Sequence, residues 1–378
     1  MKVQRVAAIC RKEFRHILRD PRSLVMALVL PLVLMLLFGF ALNLDLDRVP
    51  TVVFDADRTA DSRDLIQSFR GSRFFDIRQP AASYQALERA IDRNQALIGI
   101  VIPVGYSERV SSAAGPTGVQ VIVDGSDANT ASIAMSYAES VIQHYAVRLR
   151  SASLEQGAGL KLTMPVETRV RIWYNNTLES KNYVVPGLIG VILMIIASLL
   201  TSLTVAREWE TGTMEQLRAT PLRPGELVLG KMLAFFVVGV IDTVVAVMTG
   251  IYLFQVPFEG SALLLAVSSG VFLCGTLFWG IYLSSLAQNQ MMAFQMGMAS
   301  SFLPAFLLSG FIYVIDSMPP AIQWITRVVP ARYFVTIIRA IFQKGVGLEV
   351  LWLEFLLLTL YAILVFLLAA RALRRRMA

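Results

Sequence analysis

Few stretches of this 378-residue chain have residue types and spacing suited to chemistry. Residues 225–231 read Gly-Glu-Leu-Val-Leu-Gly-Lys and match the G-x-x-x-x-G-K spacing of a phosphate-binding loop. Such a loop needs a preceding strand, and a Ser or Thr after the Lys to hold magnesium. Here Met232 follows and Pro221 and Pro224 precede, so the match is rejected. Lys231 is expected instead at the lipid headgroups, its stem in the apolar layer and its ammonium in water. No other segment of this kind occurs, so the chain is not expected to hydrolyse ATP alone. Asp124, Gly125, Ser126 and Asp127 resemble a calcium loop but have no spaced acidic ligands and no closing Glu at the twelfth position. They read as a turn before a helix. Two cysteines (Cys10, Cys274) and two histidines (His16, His144) leave no disulfide framework and little room for a metal site. No nucleophile elbow or zinc-binding His-Glu-x-x-His pattern is present. No catalytic residue, metal or bound cofactor is expected.

One acid remains. Asp242 sits deep in a long apolar run, where an ionised side chain is costly and usually faces a cavity, a partner helix or a pathway. It is expected to line a transport route. The competing reading pairs it with a hydroxyl or a backbone group of a neighbouring helix. Glu354 lies about one turn inside the last apolar run, within reach of the interface.

The elements that carry these residues belong to a membrane protein. The chain is 56% hydrophobic and 16% charged, where soluble domains carry about a quarter charged residues. Its net charge of +7 is unevenly placed: residues 44–178 are close to neutral, and the basic excess flanks the apolar runs. That is membrane topology and not a nucleic-acid footprint. The predicted fold is an α-helical membrane protein of six transmembrane helices with an N-terminal amphipathic helix and an α/β (or α+β) extracytoplasmic domain.

Residues 1–22 read as that amphipathic helix. Val6, Ile9, Cys10, Phe14, Ile17 and Leu18 recur at helical spacing among seven Lys and Arg residues, and Asp20 with Pro21 ends the run. Its apolar face is expected to lie in the membrane interface. The first span occupies 23–43, kinked at Pro31; its length favours an uncleaved anchor over a signal peptide. Residues 44–178 alternate strand-like runs (51–54, 96–102, 119–123, 168–174) with helical ones (61–69, 83–93, 129–150), and 151–165 read as a connector. Residues 179–378 hold five further spans, at 184–205, 232–254, 262–286, 292–313 and 351–370. Between the first two of these lies a polar loop, 207–231, with a Thr211-Gly212-Thr213 turn and a short amphipathic run. Residues 315–350 read as one or two short helices at the outer interface. The basic N-terminal segment, the 207–231 loop and the Arg-rich tail fall on one side if there are six spans, and the positive-inside rule makes that side the cytoplasm. The mildly basic 315–350 segment runs against this rule and is outweighed.

Four stretches carry a resemblance: 12–42, 207–231, 307–319 and 329–345. They are similar to the permease subunits of type-2 ABC exporters, in the subgroup with a large extracytoplasmic domain between the first and second spans. The resemblance implies a separate cytoplasmic ABC ATPase that carries the ATP and magnesium. It places a coupling helix in the 207–231 loop, built from Glu208, Thr211, Gly212, Thr213, Glu215, Gln216 and Leu217. The N-terminal helix, with Lys12, Glu13, Phe14, Arg19 and Asp20, becomes a connecting helix that adds to the same dock. Outer re-entrant helices fall at 315–350, with Pro330, Arg332, Tyr333, Phe334 and Arg339. A second permease chain, identical or related, completes the path through the bacterial inner membrane among its lipids, with both termini cytoplasmic. The substrate class is a drug, lipid or other amphiphile. An outer domain of this size suggests contact with a periplasmic adaptor and an outer-membrane channel. No nucleic-acid partner is expected. The competing readings are a membrane-anchored extracytoplasmic ligand sensor and an ion-gradient-driven secondary transporter. Six spans disfavour the first, and the absence of a visible internal repeat disfavours the second.

Overall fold

The computed structural model of the chain describes residues 2–41, 48–112, 118–158, 174–175 and 179–377. It divides into two compact units, Met1–Asn43 with Ile172–Ala378, and Leu44–Arg171.

The first unit is helical. α1 (Val3–Arg19) and α2 (Pro21–Ala41) are separated by Asp20, held extended because the residue before a proline is excluded from helical geometry. After the second unit come α7 (Ser180–Glu210), the six-residue α8 (Thr213–Arg218), α9 (Pro224–Met248) and α10 (Ala262–Leu286). α11 (Gln290–Gly297) and α12 (Leu303–Leu308) are joined through one π-helical turn, and α9 continues through another to Leu253. The short α13 (Pro320–Thr326) and α14 (Pro330–Arg339) precede α15 (Leu348–Met377). Among the described residues five helical stretches are long and apolar enough to cross a membrane: Ser180–Glu210, Pro224–Leu253, Ala262–Leu286, Gln290–Leu308 and Leu348–Arg376. α2 contributes a shorter apolar stretch, Ala27–Ala41.

α7 is the central helix, buried over nearly its whole length and packed by α2, α9, α10, α11 and α14. Small residues let these helices close on it, as they do where packing and not hydrophobicity drives helix association. A Cβ on Gly280 of α10 would lie 1.9 Å from Thr201 Oγ1, and one on Gly190 of α7 would lie 3.1 Å from Phe334 and Val335 of α14. Phe334 in turn stacks on Phe272 of α10 at 4.2 Å between ring centres.

The second unit is a sheet with helices on both faces. β1 (Val49–Asp55), β2 (Phe75–Pro80), β3 (Ile98–Ile102) and β4 (Gln120–Val123) lie in the order β2-β1-β3-β4. β1 pairs parallel with β2 and β3, and β4 is antiparallel to β3. Val49, Val53, Ile98, Ile100 and Ile102 meet α3 (Ala60–Arg70) and α6 (Ala128–Ala158), whereas Val52 and Val101 meet Leu87 of α4 (Tyr84–Asp92). This is the period-two alternation of a strand buried on both faces.

The structure corrects several expected boundaries. β2 and α5 (Tyr106–Ser112) were not expected; Asp76 and Arg78 disguise β2, which is an edge strand where charge is tolerated. α6 continues to Ala158 through the first half of the expected connector. The expected strand at 168–174 lies outside the described residues, apart from Tyr174, which is not in a strand. The fourth of the later apolar helices ends at Leu308, short of residue 313.

Candidate functional site

The residues expected to form the polar 207–231 loop are mostly helical. α7 runs on to Glu210 and α9 begins at Pro224, so the connection shortens to 211–223 with α8 inside it. Gly212 makes the turn. Its φ of 73° lies in the left-handed region, which glycine enters without the steric penalty other residues meet. Thr211 Oγ1 donates to the Arg207 carbonyl at 2.8 Å, and Thr213 Oγ1 donates to the Glu208 carbonyl at 3.3 Å. Together they tie the turn back onto the end of α7. α8 is anchored by Met214, fully buried in the same apolar cluster as Ile9 and Ile17 of α1. Glu215 and Gln216 are exposed, and Leu217 is half-buried.

α1 does not present its apolar stripe to open surroundings. Ile9, Glu13 and Ile17 are its buried residues, spaced four apart on one face, while Leu18 is exposed. That face packs on α9. Gly230 permits the approach, since a Cβ there would lie 2.6 Å from Ile9 Cβ. The buried part of that face is a protein contact with a carboxylate at its centre.

Glu13 belongs to a four-residue ion cluster. Lys231, 1% exposed, places Nζ 3.1 Å from Glu13 Oε1 and 2.9 Å from Glu208 Oε2. Lys12 Nζ reaches Glu208 Oε1 at 2.5 Å and Glu13 Oε1 at 3.2 Å. Burial pushes the Glu13 carboxyl up, but the Lys231 and Lys12 ammoniums outweigh it and hold it below its ordinary value. Burial likewise pulls Lys12 down, and Glu13 and Glu208 more than restore it. The cluster joins α1, α7 and α9, the elements on either side of α8. Two outer ties support it: Arg207 Nη1 lies 3.3 Å from Asp20 Oδ2, and Glu226 of α9 accepts from the backbone N–H of Lys2 at 2.8 Å and of Arg223 at 3.1 Å. A cavity of about 550 Å³ opens beside the cluster, lined by Lys12, Glu13, His16, Glu208 and Phe235 among others.

Two sequence expectations change here. Lys231 does not reach for headgroups; the G-x-x-x-x-G-K spacing lies within the first turns of α9, and its Lys is locked inside the protein. Glu208 was expected on the docking surface but is buried at 6% exposure, a strut behind that surface. The signal for both was the presence of Glu13 at an apolar-face position of α1 and of Lys231 at the edge of an apolar run. Two misplaced opposite charges can satisfy each other. Phe14 is half-buried and Arg19 exposed on α1, and α8 itself exposes Glu215, Gln216 and Arg218.

The other expected groups lie elsewhere. Ser126 donates from its backbone N–H and hydroxyl to Asp124, forming the expected turn before α6. Among the described residues no cluster of His, Cys, Asp or Glu could hold a metal ion, and both cysteines are free. Around 315–350, Pro330 starts α14 and Phe334 is its buried anchor. Arg332 donates to Thr326 Oγ1 at 2.5 Å, and Tyr333 Oη donates to the Arg327 carbonyl at 2.6 Å. Arg339 is the hub. Its guanidinium lies 3.5 Å from the Tyr183 ring centre and donates to the carbonyls of Tyr183, Gly310 and Phe311 at 3.2, 2.9 and 3.1 Å. Arg339 thereby ties the end of α14 to the start of α7 and to the turn after α12. Asp242 is buried in α9 and has no partner among the described residues.

The helical unit thus has a long buried central helix, an N-terminal helix clamped to α7 and α9, and two short helices before the last long one. The family model for ABC-2 family transporter proteins matches residues 21–371. The chain is 35% identical over 342 residues to Probable multidrug ABC transporter permease YbhS of Escherichia coli (strain K12), covering 90% of this chain and 89% of that one. It is 30% identical to Probable multidrug ABC transporter permease YbhR of the same organism, covering 92% of each. It is 26% identical to Inner membrane transport permease YhhJ, also from that strain, over 92% of this chain and 91% of that one. The chain belongs to the ABC-2 transporter family and is a multi-pass membrane permease subunit.

Proposed function

We propose that the chain is the membrane half of an ATP-driven exporter, with ATP and magnesium held on separate ABC ATPase subunits that dock at α8 and the adjoining face of α1. The observation that carries this reading is the buried cluster of Lys12, Glu13, Glu208 and Lys231. It ties the N-terminal helix to α7 and α9, the two helices that the α8 connection joins. A displacement delivered to such a platform passes into two apolar helices without a flexible link, because packed elements move as bodies.

In this reading α2 is the first of six spans, both termini lie in the cytoplasm of a bacterial inner membrane, and the Leu44–Arg171 unit is extracytoplasmic. The basic ends of α1 and α15 support that orientation. Two permease chains pair to form the path, and α13 with α14 closes its outer end. The names of the relatives support a drug as substrate, and in this reading the Leu44–Arg171 unit meets a periplasmic adaptor leading to an outer-membrane channel.

The test is site-specific photo-crosslinking from Gln216, which is exposed on α8, in native membranes. The expected product is an adduct with an ATPase subunit that disappears when the probe is moved to Tyr84 of the other unit. An adduct with a sensor kinase, or none with any ATPase, contradicts the reading.

A further inference from the structure

The last helix, α15, is sharply two-sided. From Leu358 onward its buried side chains are Leu358, Ala362, Val365, Ala369 and Leu373, spaced three or four apart on one face. At about 100° per residue the opposite stripe is Leu360, Ile363, Leu364, Leu367 and Leu368, all exposed. That stripe runs straight on into Arg371, Arg374 and Arg375, which are exposed on the same side. Their i, i+3, i+4 spacing puts the three guanidiniums on one face. No acid stands among Arg371, Arg374, Arg375 and Arg376 in the sequence. Elsewhere in the helical unit Arg5, Lys12, Arg207 and Lys231 each meet a carboxylate, whereas among the described residues these four arginines meet none. Arg376 has a different task. Its guanidinium carbon lies 5.5 Å from the Trp209 ring centre, and Nη2 donates to the Leu286 carbonyl at 3.3 Å. It seats the last turn of α15 against the ends of α7 and α10, which leaves the other three arginines facing outward.

The dimensions select an occupant. Leu360 lies about 16 Å along the helix from Arg371, at about 1.5 Å of rise per residue. That is about half of a hydrocarbon core roughly 30 Å thick, the depth of one leaflet. An apolar strip one leaflet long, closed by three cations without acids, matches an acyl chain that ends in a phosphodiester. Guanidinium forks fit phosphate oxygens in pairs and give up their water more readily than an ammonium does. A zwitterionic headgroup would set its own ammonium against the arginines, and an acidic one does not. A soluble phosphate would use the arginines and gain nothing from the strip. We propose that the 360–375 face of α15 binds an acidic phospholipid of the surrounding bilayer, its phosphodiester on Arg371, Arg374 and Arg375 and its chains along the leucine strip. The lipid is a resident ligand and not the cargo, so the site goes beyond the exporter reading and does not depend on where an ATPase docks.

The experiment is native mass spectrometry of the detergent-solubilised full chain, titrated with phosphatidylglycerol and with phosphatidylcholine of the same acyl chains. The parent is expected to hold phosphatidylglycerol saturably, about tenfold or more tighter than phosphatidylcholine. Each arginine is worth roughly fivefold near an anionic lipid surface. The triple variant Arg371→Gln, Arg374→Gln, Arg375→Gln should therefore bring the two lipids within about twofold of each other. The matched control, Arg11→Gln with Arg15→Gln and Arg19→Gln, removes the same charge from exposed positions of α1. It should keep the parent's preference within about twofold, and an equal loss there would mean diffuse attraction and overturn the site. A parent without preference for the acidic lipid, or a tail variant that keeps it, also overturns the site. Should the tail variant fail to fold, a photo-crosslinker at Leu367 in native membranes decides. Its lipid adducts should be enriched in acidic phospholipid over the bulk membrane. Adducts that match the bulk composition, or that join a second permease chain or an ATPase, overturn the site. Failure here leaves the exporter reading untouched, because the lipid is not the cargo.

Discussion

Replacing Lys231 with Met tests what holds α1 to the transport helices. The ammonium is 1% exposed and sits within 3.1 Å of Glu13 and 2.9 Å of Glu208. Its removal leaves two carboxylates, 5% and 7% exposed at their side chains, facing each other across the α1–α7 junction. Breaking a buried ion pair from one side costs about 3–5 kcal/mol. Lys12 still reaches both acids, so the lower end applies, and about 3 kcal/mol is roughly a hundredfold in the equilibrium for α1 detachment. Hydrogen exchange at the backbone amides of 3–19 reads that equilibrium. The expected result is roughly hundredfold faster exchange in α1 for Lys231→Met, with α7 unchanged. The double variant Glu13→Gln with Lys231→Met removes one charge of each sign and should recover most of the protection, because the strand of the cluster left behind is the Lys12–Glu208 pair. Exchange in Lys231→Met within about twofold of the parent would show that apolar packing alone seats α1, and the reasoning would fail.

Three further outcomes follow from the same geometry. Because Glu13 titrates below its ordinary value of 4.5, its contribution is complete above that pH and is lost as pH falls through the folded value; Lys12, raised above 10.5, contributes fully below that pH and loses its part as pH rises beyond it. Protection of α1 should therefore be flat between these limits and fall below pH 4.5, and a decline centred near neutrality would contradict the assignment. Gly212→Ala meets no neighbouring atom but must hold φ near 73°, so thermal unfolding should show a loss of about 1 kcal/mol and no larger packing defect. Arg339→Met strands three carbonyls that it now caps, and Arg339→Lys cannot reproduce the fork, so both should lower the yield of heat-resistant chain in size-exclusion assays; full recovery with Lys would refute a geometric role.

Much of the helical unit was legible because long apolar runs and Pro or Gly punctuation are strong signals. Ala262–Leu286 matches the expected span to the residue. The ends of α7 and α9 were not legible. Glu208, Glu210, Glu226 and Lys231 look like loop residues by polarity, yet helical hydrogen bonding carries the chain through them and tertiary partners neutralise most of them. Partners far apart in sequence leave no periodic trace, so nothing in the sequence alone joins Glu13 to Lys231. In the sheet unit, β3 (Ile-Gly-Ile-Val-Ile) was visible as a buried run, whereas β2 carries charges permitted by its edge position. Asp242 is visible in the sequence as an anomaly, and the structure leaves its Oδ1 buried without a hydrogen-bond partner among the described residues.

The most direct test of the central claim is affinity purification of the full chain from its native membranes, with the parent compared against Glu215→Lys and Gly212→Pro. Glu215 is exposed on α8, and Gly212 sets the turn that presents it. The account predicts an ABC ATPase recovered with the parent and lost from both variants, while α1 protection in Glu215→Lys stays at the parent level. An ATPase retained by both variants would contradict docking at α8, and no ATPase with the parent would contradict the exporter itself.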